Sequence, residues 1–99
     1  MARKGYWIAH VSVENPERYK DYVAANAVAF AKYKARFLVR GGEAISPEGR
    51  LGSRRHVVIE FDSYATAKAC YESPEYRAAA RIRQAASEAE LVIIEGVDG

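Results

Sequence analysis

The chain has 99 residues, with 15 lysines and arginines against 13 aspartates and glutamates, a net charge of +2, and 49% hydrophobic residues. This length excludes two domains and gives a thin interior, because a domain of this size hides only roughly 60 to 68% of its unfolded surface. The small charge does not indicate a polyanionic partner, and the composition is that of a folded chain. We expect one domain spanning residues 1–99.

Cysteine content and apolar runs bear on the compartment. With Cys70 as its one cysteine the chain cannot form an internal disulfide, which favours a reducing compartment such as the cytoplasm. The start of the chain is basic, but polar residues from His10 onwards interrupt it before an apolar signal core could form. No run of about 18 apolar residues occurs, so we expect no membrane span and no membrane partner.

The first predicted elements are a strand and a long helix. Residues 6–13 are rich in aromatic and β-branched side chains, which predicts a strand. Asn15 can cap a helix, and Pro16 suits its first turn. From Tyr19 to Tyr33, apolar residues recur every three or four positions, which is typical of an amphipathic helix. We therefore expect a helix from about Pro16 to Tyr33.

Two further strands follow, separated by a long connection. Residues 36–40 predict a short second strand that a Gly-Gly pair ends. A polar connection then runs to Arg55 and leaves room for a short extra strand around Ala44 and Ile45. Residues 56–61 predict the third strand.

The remaining predicted elements are two helical pieces and a final strand. Asp62 and Ser63 are both competent caps for a helix that begins at Tyr64. Pro74 disfavours a helical Ser73 and suits a new first turn, so we expect a bend there. Residues 91–95 predict the last strand. The later helix has a predicted buried stripe of small and apolar residues: Ala78, Ala79, Ile82, Ala85, Ala86 and Ala89.

This order of elements predicts an α+β fold of the ferredoxin-like βαββαβ type, a four-stranded antiparallel sheet with helices on one face. Alternation along the strands gives an apolar set suited to the helices, formed by Trp7, Ala9, Val11, Val13, Phe37, Val39, Val57, Ile59, Phe61, Val92 and Ile94. The opposite set mixes apolar and polar residues: Ile8, His10, Ser12, Arg36, Leu38, Arg40, His56, Val58, Glu60, Leu91, Ile93 and Glu95.

The mixed sheet face is too apolar to meet water and too polar for a dry core. Two such faces that meet around a cavity would satisfy both kinds of side chain. We therefore predict a homodimer with a barrel-like interior. The chain itself is thus the expected protein partner.

Several short segments, taken in order, resemble one known family. They are Tyr6 to Val11, the helical run through Tyr33, Arg40-Gly41-Gly42, Ile59-Glu60-Phe61, Ser73-Pro74-Glu75-Tyr76, Arg83, and Val92 to Gly96. Together they are similar to the domain-of-unknown-function 1330 family. The resemblance implies a dimeric α/β barrel, a superfamily that also holds cofactor-independent monooxygenases, haem-degrading enzymes, muconolactone isomerases and stress-responsive barrels. It implies no particular activity, because the family has no agreed one.

Three polar residues on the predicted cavity face are candidates for a site. His10, Arg40 and Glu60 fall on three strands that are neighbours in the expected order. A carboxylate can orient an imidazole for proton transfer, and an arginine offers a forked donor to an anion. All three are candidate ligand-binding residues, and His10 and Glu60 are candidate catalytic residues. The alternative is that Arg40 and Glu60 pair across strands with His10 beside them.

Tyr33 and Arg83 are further candidate ligand-binding residues. Tyr33 belongs to an aromatic set that could line a pocket for an aromatic molecule or pack in the core: Tyr19, Tyr22, Phe30, Tyr33, Tyr71 and Tyr76. Arg83 could reach an anionic ligand or anchor the bend at Ser73. Asn26, on an otherwise apolar helical face, could hold a loop or point to a cavity rim.

Nucleic-acid, metal and cofactor binding are not expected. The segment 34–56 is basic, but it lacks interleaved aromatic residues, which favours a solvated loop over a nucleic-acid interface. The two histidines lie on separate strands without the spacing of a metal site. Cys70 is typical of a small buried hydrophobe, not of a nucleophile. We predict no cofactor.

The leading functional prediction is a homodimeric barrel that binds a small anionic or aromatic molecule in the cavity between the sheets. A second possibility is a cofactor-independent monooxygenase or an isomerase that uses His10 or Glu60 as a base and Arg40 to hold an anion. The third is a structural or regulatory dimer with no ligand.

Overall fold

The computed structural model describes residues 3–97. Within them the chain forms β1 (Gly5–Val13), α1 (Pro16–Lys32), β2 (Arg36–Arg40), β3 (Arg55–Phe61), α2 (Tyr64–Glu72), α3 (Pro74–Ala86) and β4 (Ser87–Glu95). The strands make one antiparallel sheet in the order β2-β3-β1-β4. This confirms the predicted ferredoxin-like α+β fold. The connection 41–54 contains no strand, so the extra strand allowed around Ala44 and Ile45 does not form.

Side-chain caps begin each helix where the sequence predicts. The Asn15 side chain accepts a hydrogen bond of 3.1 Å from the backbone N–H of Arg18. The Ser73 hydroxyl accepts a 3.1 Å bond from the N–H of Tyr76 and donates a 2.7 Å bond to the carbonyl of Cys70. Ser73 therefore ends α2 and starts α3, which confirms the predicted bend.

The last strand begins at Ser87, earlier than the predicted residue 91. Helix α3 stops because the Ala86 carbonyl accepts 2.9 Å hydrogen bonds from the backbone N–H groups of Glu14 and Asn15. From Ser87 onwards the chain pairs with β1 instead. This pairing overrides the helical preference of the Glu-Ala-Glu segment that follows, so Ala89, which we expected in the helical stripe, lies in a strand.

The face assignment predicted for β4 is wrong by one residue. Leu91 lies opposite Ala9 and faces the helices, whereas Val92 lies opposite Ile8 on the open face. Val92 and Ile94 are accordingly 49% and 47% exposed. The run 91–94 is apolar at every position, so alternation gives no signal there and the pairing with β1 decides the phase.

The buried face of α3 also differs from the predicted stripe. It consists of Tyr76, Ala79, Ala80, Arg83 and Ala86, whereas Ala78 and Ala85 are exposed. Alanines occur on both the buried and the exposed face of α3, so small apolar residues alone do not mark the face that packs inwards. Arg83 lies at the centre of the buried face.

The core between the sheet and the helices is centred on Trp7, which is 1% exposed. Its ring centroid lies 4.7 Å from that of Tyr76, 5.3 Å from that of Phe61 and 5.4 Å from that of Phe30. The indole N–H donates a 2.9 Å hydrogen bond to the carbonyl of Ala67 on α2. One side chain therefore joins the central strand to the helical layer.

Replacement of Trp7 by phenylalanine should destabilise the protein by at least about 1–3 kcal/mol, because the buried carbonyl of Ala67 loses its donor. Urea denaturation followed by circular dichroism measures the change. Tyr64, which is 38% exposed, provides the control: Tyr64→Phe should cost less than about 0.5 kcal/mol. Equal stability of the two variants would contradict this description of the core.

Candidate functional site

A bulge in β2 decides which side chains of that strand face the helices. Phe37 lies opposite Ile59, and Val39 lies opposite Val58, so Leu38 is an additional residue without a partner on β3. The bulge reverses the faces of the residues that follow it. Val39 therefore lies on the open face of the sheet, and Arg40 lies on the helix side.

The predicted position of Arg40 is therefore wrong. Its guanidinium carbon lies 4.3 Å from the centroid of the Phe37 ring, and the side chain lines a pocket between the sheet and the helices. Arg40 lies opposite Val57 and does not pair with Glu60. The strand Arg-Phe-Leu-Val-Arg is too short for its alternation of apolar and polar residues to indicate a bulge.

Glu60 does lie on the open face, but each of its carboxylate oxygens already accepts a hydrogen bond. Its carboxylate accepts a 3.0 Å bond from Arg36 Nε and a 3.0 Å bond from the Tyr6 hydroxyl. Arg36 also contacts Asp62 at 3.0 Å. The bond from Arg36, followed by the bond from Tyr6, holds the pKa of Glu60 below its ordinary value. The alternative of cross-strand pairing thus applies to Glu60, with Arg36 in place of Arg40.

His10 pairs with the second histidine of the chain. The Nδ1 atoms of His10 and His56 are 2.9 Å apart, so one ring donates and the other accepts. His56 and Glu60 are separated by roughly 13 Å along β3. His10, Arg40 and Glu60 consequently do not form one site. Tyr33, at the end of α1 with Lys32 Nζ 5.6 Å from its ring centroid, does not line the pocket.

The pocket between the sheet and the helices joins aromatic and aliphatic walls to a polar wall. Its volume is about 40 Å³, room for roughly three ordered waters. The polar wall is formed by Tyr19, Tyr22, Asn26, Arg40, Arg55 and Arg83. A more open groove of about 430 Å³ lies on the outer surface beside α2 and α3.

Arg83 is the most deeply placed charged group of this pocket, at 8% exposed. Its Nε atom and that of Arg55 are buried and have no hydrogen-bond partner among residues 3–97. Within the same residues, no carboxylate forms an ion pair with Arg40, Arg55 or Arg83. The pocket therefore carries positive charge that its own chain does not balance.

The three guanidinium groups lie near enough to Tyr19 for their charges to act on it. Burial raises the pKa of Tyr19, while the charges of Arg55, Arg83 and Arg40 act on it in the opposite direction. Gly41, with φ of +75°, makes room for Arg55, because a Cβ there would lie 2.6 Å from Arg55 Nη1. This end of the pocket thus carries the charges of the three arginines, and Gly41 leaves the space that Arg55 occupies there.

The pocket can hold negative charge but offers no ordinary general base. Histidine, aspartate and glutamate are missing from its lining within residues 3–97. Burial and the neighbouring Tyr76 raise the pKa of Tyr22, whose hydroxyl lies 2.8 Å from that of Tyr76, so both phenols stay neutral. Burial also raises the pKa of Cys70 to about 12, which excludes a thiolate nucleophile there.

Arg83, Asn26 and Tyr19, for which the sequence left both structural and ligand-related roles open, all line this pocket. The sequence did not predict a pocket on this side of the sheet, and it did not single out Arg55. Arg55 follows another arginine at the end of a polar connection, and no pattern separates the two. In the structure Arg54 pairs with Glu90 at 3.2 Å, whereas Arg55 turns to the pocket.

Two further features are absent from residues 3–97. Three or more histidine, cysteine, aspartate or glutamate side chains do not gather anywhere in this range into a group that could hold a metal ion. In the same range no helix has the length and the apolar character that crossing a membrane requires.

The fold is shared with several solved structures. A protein of unknown function from Rhodopseudomonas palustris matches with a TM-score of 0.78 and 19% identity, over 100% of this chain and 86% of that one. SnoaB, a cofactor-independent oxygenase from Streptomyces nogalater, matches with a TM-score of 0.65 and 16% identity, over 99% and 97%. A dimeric ferredoxin-like protein of unknown function from Thermobifida fusca matches with a TM-score of 0.65 and 16% identity, over 96% and 92%.

These similarities define the class as ferredoxin-like α+β proteins. Residues 4–97 match the model of the family described as Domain of unknown function (DUF1330), and the chain belongs to that family. No curated protein matches the sequence. The resemblance seen in the sequence is thereby confirmed.

The ion pair of Glu60 with Arg36 and its hydrogen bond from Tyr6 predict how stability depends on pH. Because the pKa of Glu60 is lowered in the fold, its contribution is complete above the ordinary value of 4.5 and is lost as the pH falls through the lower folded value. The difference in Tm between the parent and Glu60→Gln should therefore shrink between about pH 6 and about pH 3. The control is Glu43→Gln in the exposed connection, for which the difference should stay near zero. A Glu60→Gln difference that does not change with pH would contradict the assignment.

Proposed function

We propose that the protein is a homodimer that binds a small molecule in the pocket between the sheet and the helices of each protomer. The observation that carries this proposal is Arg83, a buried charged side chain that faces an apolar pocket with its Nε atom unpartnered. The binding site proposed here thus lies on the other side of the sheet from the cavity that the strand pattern predicts.

The lining of the pocket is typical of a ligand site. Such sites are concave, mostly apolar, and carry a few polar groups that converge on one point. Trp7, Phe30 and Phe37 supply the apolar surface, and the arginines and Tyr19 supply the polar groups. The buried Nε donor of Arg83 has no acceptor, which costs free energy, and stability alone gives no reason to keep such a donor at the wall of a pocket.

The size of the pocket limits what it can accept without movement. About 40 Å³ holds a carboxylate-sized group. Arg40 lies on an edge strand, is exposed, and adjoins the long connection 41–54. A larger ligand can therefore enter by displacing the Arg40 side chain from the Phe37 ring, and the deeper walls stay in place.

The open face of the sheet supports the homodimer. It presents Leu38, Val39, Val92 and Ile94, which are 40 to 55% exposed, on the side away from the helices. Contiguous apolar surface of this kind is typical of protein interfaces. A second copy of the sheet offers the same apolar pattern, and one protein of this fold is described as dimeric. Cys70, a buried free thiol, supports a reducing compartment such as the cytoplasm.

A cofactor-independent oxygenase is the second candidate, and the charge of the pocket favours it over an isomerase. Positive charge lowers the pKa of a phenol or enol held beside it, so such a substrate could ionise without a carboxylate or imidazole base. SnoaB shows that the fold accommodates this class of enzyme. Oxygen uptake in the presence of a bound phenol or quinol separates turnover from binding.

Substitution on the open face tests the dimer. Val92→Glu should convert a species of twice the 11.0 kDa chain mass into one of 11.0 kDa, measured by light scattering after size exclusion. Val28 lies on α1 and is 62% exposed, so Val28→Glu introduces the same charge away from the sheet and should leave the mass unchanged. A parent protein of 11.0 kDa would contradict the dimer.

A pocket-filling variant tests the ligand site. Small aromatic acids, phenols and quinols that bind the parent should raise its Tm, because they bind only the folded state. Ala89→Leu fills the pocket and should abolish the increase, while Ala85→Leu on the exposed face of α3 should retain it. If no compound raises the Tm, the reading as a structural or regulatory dimer without a ligand is favoured. If the compounds act equally on both variants, the site lies elsewhere.

A further inference from the structure

We infer that Arg83 and Arg55 form a clamp for the carboxylate of a small organic acid whose apolar part lies against the aromatic wall of the pocket. This inference rests on the proposed function and adds the class of ligand. It follows from the donors that lack acceptors, from the distribution of ion pairs, and from the chemistry of the two walls.

Arg83 and Arg55 each have a guanidinium edge whose Nε donor lacks an acceptor among residues 3–97. The Nε–H and a neighbouring Nη–H of arginine together match the two oxygens of a carboxylate. In both Arg83 and Arg55 the Nε atom is buried and unpartnered among residues 3–97. A buried donor without an acceptor is costly, and a ligand oxygen would remove that cost.

Arginines on the other side of the sheet differ from those of the pocket in their ion pairs. There, Arg36 pairs with Glu60 at 3.0 Å and with Asp62 at 3.0 Å, and Arg54 pairs with Glu90 at 3.2 Å. The pocket arginines have no such partner within residues 3–97. Carboxylates of the chain thus neutralise Arg36 and Arg54, whereas Arg55 and Arg83 meet tyrosines and no carboxylate within residues 3–97, so an anionic ligand would supply the missing negative charge.

Tyr19 and the apolar walls of the pocket indicate what the rest of the ligand is. Tyr19 stays protonated, because burial raises its pKa, and can donate a further hydrogen bond to an oxyanion. Beyond the arginines the walls are aromatic and aliphatic, including Trp7 and Phe30. Forked arginine donors bind carboxylate and phosphate alike, but the smaller planar carboxylate fits the limited volume of about 40 Å³ better than a tetrahedral phosphate dianion does. An organic acid with an apolar or aromatic part matches both walls.

The test compares carboxylates with their neutral amides on the full chain, in a buffer free of other oxyanions. Acetate, butyrate and benzoate are titrated beside acetamide, butyramide and benzamide, by calorimetry and by thermal shift. At least one carboxylate should bind about tenfold tighter than its amide or better, because the amide carries no charge. Inorganic phosphate serves as a third arm, and binding of phosphate that is tighter than that of every carboxylate would overturn the proposed class.

Matched arginine variants assign the effect to the clamp. Arg55→Gln should weaken carboxylate binding by about ten- to a hundredfold and leave amide binding unchanged. Arg54→Gln, at the adjacent position on the other face, should change neither. Arg83→Lys keeps the charge but loses the fork and should fall between the parent and Arg83→Gln. Because a substitution at buried Arg83 can impair folding, Arg55 and Arg54 carry the comparison alone if needed.

The outcomes separate this inference from the proposal on which it rests. If carboxylates and amides bind equally, and Ala89→Leu abolishes both, the pocket is a ligand site and the carboxylate clamp is wrong. If none of these compounds binds, and no compound raises the Tm of the parent, both proposals are wrong. Loss of carboxylate binding in Arg54→Gln, but not in Arg55→Gln, also overturns the clamp.

Discussion

The register of the central strand β1 determines which side chains lie inside the protein. Trp7 lies opposite Ile59 on one side and Ile93 on the other, and this pairing fixes the inward face of three strands at once. The indole bond to Ala67 then holds α2 against the sheet. With the helices packed against the sheet in this way, the long side chain of Arg83 lines the pocket between the sheet and the helices.

The same sheet divides the arginines into two groups with different environments. On the open face, arginines meet carboxylates of their own chain. On the helix side, Arg40, Arg55 and Arg83 meet tyrosine hydroxyls and aromatic rings. A net charge of +2 conceals this separation, because it sums the charges of both faces. The positive pocket is therefore a consequence of topology and does not appear in the composition.

Most of the fold could be predicted from local signals in the sequence. Asn15, Ser63 and Ser73 cap helices by hydrogen bonds that depend on neighbouring residues alone, and they fixed the helix starts correctly. The strands β1 to β3 were also found, because β-branched and aromatic runs end at turn residues. The pattern of elements then leaves few topologies, and the ferredoxin-like one is observed.

The candidate site was harder to predict, because a shift of one residue in a strand changes the face on which each side chain lies, and only strand pairing decides that shift. The bulge at Leu38 moves Arg40 across the sheet, and the register of β4 exchanges Leu91 and Val92 between faces. Helix α3 has alanines on both its buried and its exposed face, so the buried position of Arg83 followed from packing and not from the alanine pattern. Each difference leaves the fold unchanged but relocates a side chain from one face to the other.

The most direct test of the central claim, that free guanidinium edges in the pocket receive a ligand anion, is nuclear magnetic resonance of the arginine Nε–Hε groups during titration with benzoate. The structure predicts that the signals of Arg83 and Arg55 shift together and saturably, while those of Arg36 and Arg54, which already have carboxylate partners, stay in place. Shifts confined to Arg36, Arg54 and other surface arginines would contradict the account.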